Sequence, residues 1–328
     1  MLNQKEMAKE NEMYLDRSGT FRDVAWEWFA AQKPQWKMAS TIKYRNILEN
    51  YLLPTFGEKQ ISAISRAEVV VFESSLMTDG GVKRAGLSAA TVMGILSVMK
   101  NIFIYAGQID GYMVADLSGV SIKQSQKPMR ILSRSEQERL STFLCAQMTP
   151  CNLGILICLY TGIRIGEICA LQWGDISFEE QYLHIHRTMQ RLQTEKGEQK
   201  TIILISAPKS DCSIRRVPIP DVLIPTLKKC RQAADAYVLT GRTTKYMEPR
   251  TLQNRFKTVI RQCEIEYANF HALRHTFATR CVELGFDMKS LSEILGHASV
   301  NITLNRYVHP SMELKQKNMN MLSELLRM

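Results

Sequence analysis

The chain has no Cys-x-x-Cys pair, no apolar run approaching the roughly 20 residues that span a bilayer, and no apolar segment within its charged start MLNQKEMAKENEM. Each absence removes a class of protein. The eight cysteines, at 145, 151, 158, 169, 212, 230, 263 and 281, are scattered and mostly sit inside apolar patterns, so they read as reduced core thiols, with no zinc site and no disulfide framework. The longest apolar stretches, such as CNLGILICLY, are too short to cross a membrane, and the start has no signal-peptide character; the expectation is a cytoplasmic protein with no membrane partner. Negative charge is also scarce: 32 acidic residues face 42 Lys and Arg, a formal net charge of +10. That excess suits an anionic polymer, nucleic acid ahead of a membrane surface, although an ordinary solvated basic surface produces the same number.

What is present is enough apolar content, 45% of 328 residues, for two cores. The first part is helical by pattern: FRDVAWEWFAAQ, then STIKYRNILENYLLPTFG with Ser40 as N-cap and Gly57 as stop, RAEVVVFESSLM, and LSAATVMGILSVMKNIFIYAG from a Ser88 cap to Gly107. Trp26, Trp28 and Phe29 recur at helical spacing and read as core, not as base-stacking platforms. A polar, basic, proline-bearing stretch, SGVSIKQSQKPMRI, then reads as a linker over 118–131, with Lys123 and Lys127 available to phosphates. About twelve such residues reach roughly 40 Å, enough for two domains to grip a duplex from opposite sides. SRSEQERL opens the next unit with a capping box, Ser133 to Glu136. The division expected is a tail over 1–19, a helical domain over 20–117, the linker, and a second domain over 132–328, giving a mainly α protein with a small antiparallel β-sheet.

The second domain carries the chemistry. In YTGIRIGEICALQW, Thr161 and Gly162 break one helix and Arg164 falls on the first turn of the next, where an oxyanion is favoured. QYLHIHRTMQRL, KTIILIS and SIRRVPIP alternate as a three-stranded antiparallel sheet, with Lys209 of APKSDCS at a hairpin tip and Arg215 and Arg216 beside it. FHALRHTFATRCVELGFD reads as a helix ended by Gly285, with His271 and Arg274 on one face near its N-terminus, a donor array suited to phosphate oxygens. No third imidazole or carboxylate stands at ligand spacing on that helix, so no metal is expected there. LGHAS with His297 and NRYVH with Tyr307 follow; His275 and His309 neighbour these motifs and read as helix packing and polar surface.

Arg164, His271-x-x-Arg274, LGHAS and NRYVH, in this order and spacing, resemble the tyrosine recombinase, or phage integrase, family. The resemblance implies a helical core-binding domain followed by a mixed α/β catalytic domain. It implies a site-specific DNA recombinase that cleaves and rejoins DNA through a 3′-phosphotyrosine and a Holliday junction, without cofactor or metal. Tyr307 would be the nucleophile, Arg164, Arg274 and His297 the holders of the phosphate, His271 the partner in proton exchange, and Lys209 the acid for the leaving 5′-oxygen. Glu167 would brace the site, with Lys123, Lys127, Arg215 and Arg216 on DNA. Implied partners are double-stranded DNA carrying core-type sites and three further copies of the chain in a homotetramer; a monomer in free solution and an accessory directionality factor stay open. About twenty residues precede the first helix, which leaves no room for a separate arm-site-binding domain. In layout the chain is similar to Xer-like members and to short integrases of phages or conjugative elements. The alternative is a catalytically idle DNA-binding regulator on the same scaffold. The tail PSMELKQKNMNMLSELLRM reads as a terminal helix with Leu314, Met319, Leu322 and Leu326 on one face, docking on its own domain or on a neighbouring copy.

Overall fold

The computed structural model describes residues 19–81, 85–108, 111–122, 129–193, 201–208, 211–307, 316, 319 and 320. The chain divides into two compact units, residues 1–127 forming most of the first and residues from 128 onward most of the second. The expected linker lysines Lys123 and Lys127, the hairpin Lys209, His309 and most of the terminal tail lie outside the described residues.

The first unit is helical. α1 (Phe21–Gln32) is capped by Thr20, whose side chain accepts from the Asp23 N–H, and buries Phe21, Val24, Ala25, Trp28 and Phe29. Trp28 and Phe29 are each 3% exposed, which makes them core residues. α2 (Met38–Ile47) starts at a Lys37 N-cap, so Ser40 lies inside the helix and does not cap it. The start is set by packing: Trp36 wedges against Trp28, Phe29 and Tyr44, the last at 4.5 Å between ring centroids, and this fixes the chain's entry before any serine is reached. A π turn (Leu48–Leu52) leads into α3 (Leu53–Phe56), a widened ladder just ahead of Pro54, which has no N–H to donate. α4 (Arg66–Thr78) begins with a reciprocal Ser65–Glu68 capping box. α5 (Ala89–Gln108), where Ser88 Oγ accepts from the Thr91 N–H, is long and apolar enough to cross a membrane, contrary to the reading of the sequence's apolar runs. Its apolar side is spent within the protein: Val92, Ile95, Met99, Ile102 and Phe103 are buried in the core of this unit.

The second unit is built around α7 (Pro150–Thr161), which is apolar on all sides and buried nearly throughout. α6 (Arg134–Ala146), opened by the Ser133–Glu136 capping box, packs beside it, as do α10 (Pro249–Gln262) and α11 (His271–Glu283), with α8 (Ile165–Ala170) following directly. α9 (Ile224–Cys230) follows the sheet, and α12 (Met288–Leu295) and α13 (Val300–Tyr307) complete the helices that frame the site. Five of the cysteines are buried, whereas Cys145 and Cys212 are exposed and Cys230 is intermediate, so the core reading holds for the apolar stretches alone.

The sheet differs from the alternation in the sequence. Its three strands are β1 (Ile176–Ser177), β2 (Tyr182–Ile185) and β5 (Arg215–Pro218), antiparallel, with Leu183 paired to Ile176 on one side and Val217 on the other. β3 (Thr188–Gln193) and β4 (Thr201–Ser206) form a separate two-stranded ribbon. The run QYLHIHRTMQRL breaks at His186 and Arg187 because Arg187 Nη2 turns to donate to Asp175 Oδ2 at 2.7 Å. The pairing edge is thereby taken from the segment that follows.

Candidate active site

Two left-handed glycines shape the site. Gly162 ends α7 at φ +66, and a Cβ there would meet the Phe277 ring at 2.4 Å. Gly296 ends α12 at φ +65. The carbonyls these turns leave free receive the two central guanidiniums: Arg274 Nη1 donates to Gly162 O at 2.9 Å and Nη2 to Leu295 O at 2.7 Å, while Arg164 Nη2 donates to Gly296 O at 3.0 Å. Arg164 and Arg274 thus hang from successive carbonyls at the negative end of the α12 dipole. Arg164 is the N-cap residue of α8, one position ahead of its first turn.

Glu167, 3% exposed, ties the cations together. Its carboxylate accepts from Arg164 N and Nη1 at 2.8 and 2.9 Å and takes a two-pronged bond from Arg215 Nη1 and Nη2, both at 3.0 Å. Arg215 also donates to Ile294 O and Ser213 O. The expectation that Arg215 lies on DNA is therefore corrected: its side chain, 7% exposed, is consumed by a buried ion pair. Arg216, the next residue on the strand, points the other way and stacks its guanidinium over Tyr182, 4.7 Å from the ring centroid. Burial would raise the Glu167 carboxyl, but the Arg215 hydrogen bonds and charge, with those of Arg164, outweigh it and hold the group below its ordinary value. The pair is therefore stabilising above the unfolded carboxylate range and is lost as pH falls through the folded value. Glu167→Gln, which leaves Arg215 buried without its counter-charge, is expected to cost about 3–5 kcal/mol. Chemical unfolding should show that difference at neutral pH and its disappearance in acid; equal midpoints at neutral pH would contradict it.

Arg274 is 3% exposed and, among the described residues, makes no hydrogen bond to a carboxylate. Burial, with Arg164 adding to it, pulls its pKa down to about 9, so it is charged at neutral pH at a cost that an incoming anion would relieve. Its Nη2 also lies 2.9 Å from His297 Nε2, and His297 Nδ1 lies 2.8 Å from Thr303 Oγ1. A guanidinium can only donate, so His297 Nε2 is the acceptor and Nδ1 carries the proton toward Thr303. Burial first, then Arg274, holds His297 neutral with a pKa near 3. As placed, His297 presents a lone pair, not the donor the sequence suggests. Thr303, fully buried one turn before Tyr307 on α13, sets this tautomer, and its hydroxyl can reverse it by donating instead.

Tyr307 is 6% exposed, its ring set in a small cluster with Ala278, Cys281, Leu291 and Leu295 and lying parallel to the His297 ring. Burial raises its phenol, against the pull of Arg274, Arg306 and Arg164, so the group is protonated at neutral pH. Its Oη sits 3.0 Å from His275 Nδ1. His271 does not hold that position: it opens α11 with an accessible surface and meets His275 edge-on, ring centroids 4.5 Å apart. Even so, desolvation, followed by Arg274, Arg306 and Arg164, lowers His271 to about 4.

The structure therefore brings together Arg164, Glu167, Arg274, His297 and Tyr307, places His271 at the edge, and leaves Arg216 on the surface. It adds His275 and Thr303, which the sequence did not single out for the site, and Arg215, which the sequence offered as a cation beside Lys209 and assigned to DNA. Of these, Arg215 had a usable signal, a basic pair on a strand whose alternation must turn one member inward. Among the described residues no three His, Cys, Asp or Glu side chains are grouped to hold a metal ion.

A cluster of guanidiniums around a buried tyrosine is the equipment of phosphodiester chemistry, and comparison with known proteins agrees. Residues 130–313 match the Phage integrase family and residues 21–110 the Phage integrase central domain. The tyrosine recombinase XerC-like protein of Caldanaerobacter subterraneus subsp. tengcongensis is 28% identical over an alignment covering 98% of this chain and 90% of its own length. In fold, the chain is similar to the Tn1549 transposon integrase in complex with transposon right end DNA (TM-score 0.75, 20% identity, 93% of this chain and 100% of that one). It is similar too to the lambda integrase tetramer bound to a Holliday junction (TM-score 0.63, 16% identity, 92% and 82%). The chain belongs to the phage integrase family. It is a tyrosine recombinase, an enzyme of DNA recombination and integration.

Proposed function

We propose that this recombinase serves a mobile element, acting in the cytoplasm on core-type sites in duplex DNA, and that Tyr307 is its nucleophile. The observation that carries the reading is the buried Arg274 guanidinium, bonded to two carbonyls and a neutral imidazole, with no carboxylate among the described residues hydrogen-bonded to it, in the site that holds the tyrosine. In cleavage, Tyr307 Oη forms a bond to the scissile phosphorus and the bond from phosphorus to the 5′-oxygen breaks; the 3′ end stays on the enzyme as a phosphotyrosine ester. Arg164 and Arg274 hold the nonbridging oxygens, on which charge gathers, through charge-assisted hydrogen bonds. His297 joins them once Thr303 donates to its Nδ1 and Nε2 carries the proton. Lys209 protonates the departing 5′-oxygen, and Glu167, through Arg215, keeps Arg164 in register with Gly296.

Residues 20–117 act as the core-binding domain, and 118–131 as a basic linker between it and the catalytic domain. Four copies assemble on two sites and exchange strands through a Holliday junction. Arg216 and the linker lysines serve the DNA backbone. Neutralising Lys123 and Lys127 should weaken binding to all sequences alike and flatten the plot of log affinity against log salt by about 0.9 for each phosphate no longer neutralised. Filter binding across a salt series checks this, and an unchanged slope removes the linker from the interface. The reading as a whole is tested with a duplex taken from DNA flanking the gene and nicked beside the crossover. A recombinase is trapped on it as a denaturation-resistant adduct, whereas persistent noncovalent binding with no adduct under any nick position contradicts the proposal.

A further inference from the structure

The geometry points to His275 as the group that accepts the Tyr307 phenol proton during strand cleavage and returns it during religation, an inference that rests on Tyr307 being the nucleophile. Three observations carry it. His275 Nδ1 lies 3.0 Å from Tyr307 Oη, within the range of a direct proton transfer, while His271 reaches only the edge of the His275 ring. Both members of the pair are buried, His275 at 7% and Tyr307 at 6% exposure, so bulk water is a poor route for the proton. His275 is also neutral before reaction, since desolvation, then His271, Arg306 and Arg274, lower it to about 4; in the tautomer protonated at Nε2, its Nδ1 accepts the phenol O–H.

The groups facing His275 are His271 and Arg274 on its own helix and Tyr307 and Arg306 on α13. The two arginines oppose a positive imidazole in the free protein. A bound phosphodiester reverses that balance, because its charge, and the further charge gathered in the transition state, offsets them. The step then closes. As the Oη–P bond forms, the phenol oxygen loses its basicity and its proton moves to Nδ1. The bond from phosphorus to the 5′-oxygen breaks and that oxygen takes its own proton from the acid. In religation the 5′-hydroxyl returns its proton to that acid as its oxygen attacks phosphorus, the Oη–P bond breaks, and the imidazolium returns its proton to Oη.

His275→Asn tests this, since its amide oxygen can still accept the hydrogen bond but takes no proton at neutral pH. Adduct formation is measured in single turnover on the nicked duplex, with half-site affinity and unfolding midpoint as controls. The expected result is a rate about 10²-fold lower or more, at unchanged affinity. Installing a ring-fluorinated tyrosine at position 307, whose phenol ionises near neutral pH, should then restore most of the loss. A His275→Asn rate within about threefold of wild type would overturn the inference, as would a loss of the same size with either tyrosine, which marks His275 as structural. If the Asn protein does not fold, His275→Gln takes its place in both arms. Tyr307→Phe runs alongside: an adduct with Phe sinks the nucleophile assignment itself, whereas no adduct with Phe and full activity with Asn sinks the His275 inference alone.

Discussion

Tyr307→Phe is expected to eliminate the covalent DNA adduct while leaving DNA affinity nearly unchanged. The substitution removes the atom proposed to attack phosphorus and keeps the ring in its cluster with Ala278, Cys281, Leu291 and Leu295. Affinity should survive because it is carried by cationic contacts to phosphates that this ring does not make. The cost to folding is the unpaired His275 Nδ1, on the order of 1–3 kcal/mol for a buried group left without its partner. Gel analysis after denaturation reads the adduct and filter binding reads the affinity. A Phe variant that still forms the adduct would place the nucleophile elsewhere.

Arg274→Lys is expected to lower the cleavage rate by about 10²–10³-fold, as the loss of a transition-state donor does. Charge is nominally kept, but the planar fork is lost, and with it the simultaneous reach to Gly162 O, Leu295 O and His297 Nε2. The site also works against an ammonium. It pulls a guanidinium down to about 9, so a lysine there, starting from a lower value, would be held closer to neutrality and lose part of its charge at physiological pH. Arg164→Lys should show a smaller version of the same loss, because Arg164 is 35% exposed in its side chain and its backbone N–H bond to Glu167 survives the change. Single-turnover rates at saturating protein separate these effects from binding. Lysine variants with wild-type rates would make both arginines incidental to the chemistry.

How much of this could be read from the sequence depends on whether a feature is local. The Ser133–Glu136 capping box, the Gly162 and Gly285 stops and the apolar α7 are local, set by spacing and by glycines that take up a left-handed backbone other residues rarely adopt, and they are legible. The start of α2 at Met38 was not, because Trp36 packing overrides the cap preference of Ser40. The sheet was misread for a similar reason: alternation marks a strand but not its partner, and the Arg187–Asp175 bond divides one alternating run between two sheets. In the site, the residues proposed to meet the phosphate stand in motifs and could be picked out by them. Among the residues that act on one another, Arg215 had only the signal of a basic pair on a strand, and His275 and Thr303 had none: they owe their places to neighbours far away in the chain, or across a turn whose geometry the sequence does not state. His275 in particular stands beside Arg274 in sequence and looks like helix packing until α13 brings the Tyr307 oxygen to its Nδ1.

The central claim, that Tyr307 becomes covalently joined to DNA by chemistry run on cationic side chains, is tested most directly by trapping the adduct on the nicked duplex in excess EDTA, digesting both components and locating the nucleotide by tandem mass spectrometry. The account predicts a 3′-phosphonucleotide on Tyr307, formed at the same rate with and without the chelator. A nucleotide mapped to any other residue, or an adduct that fails to form once EDTA is added, would contradict it.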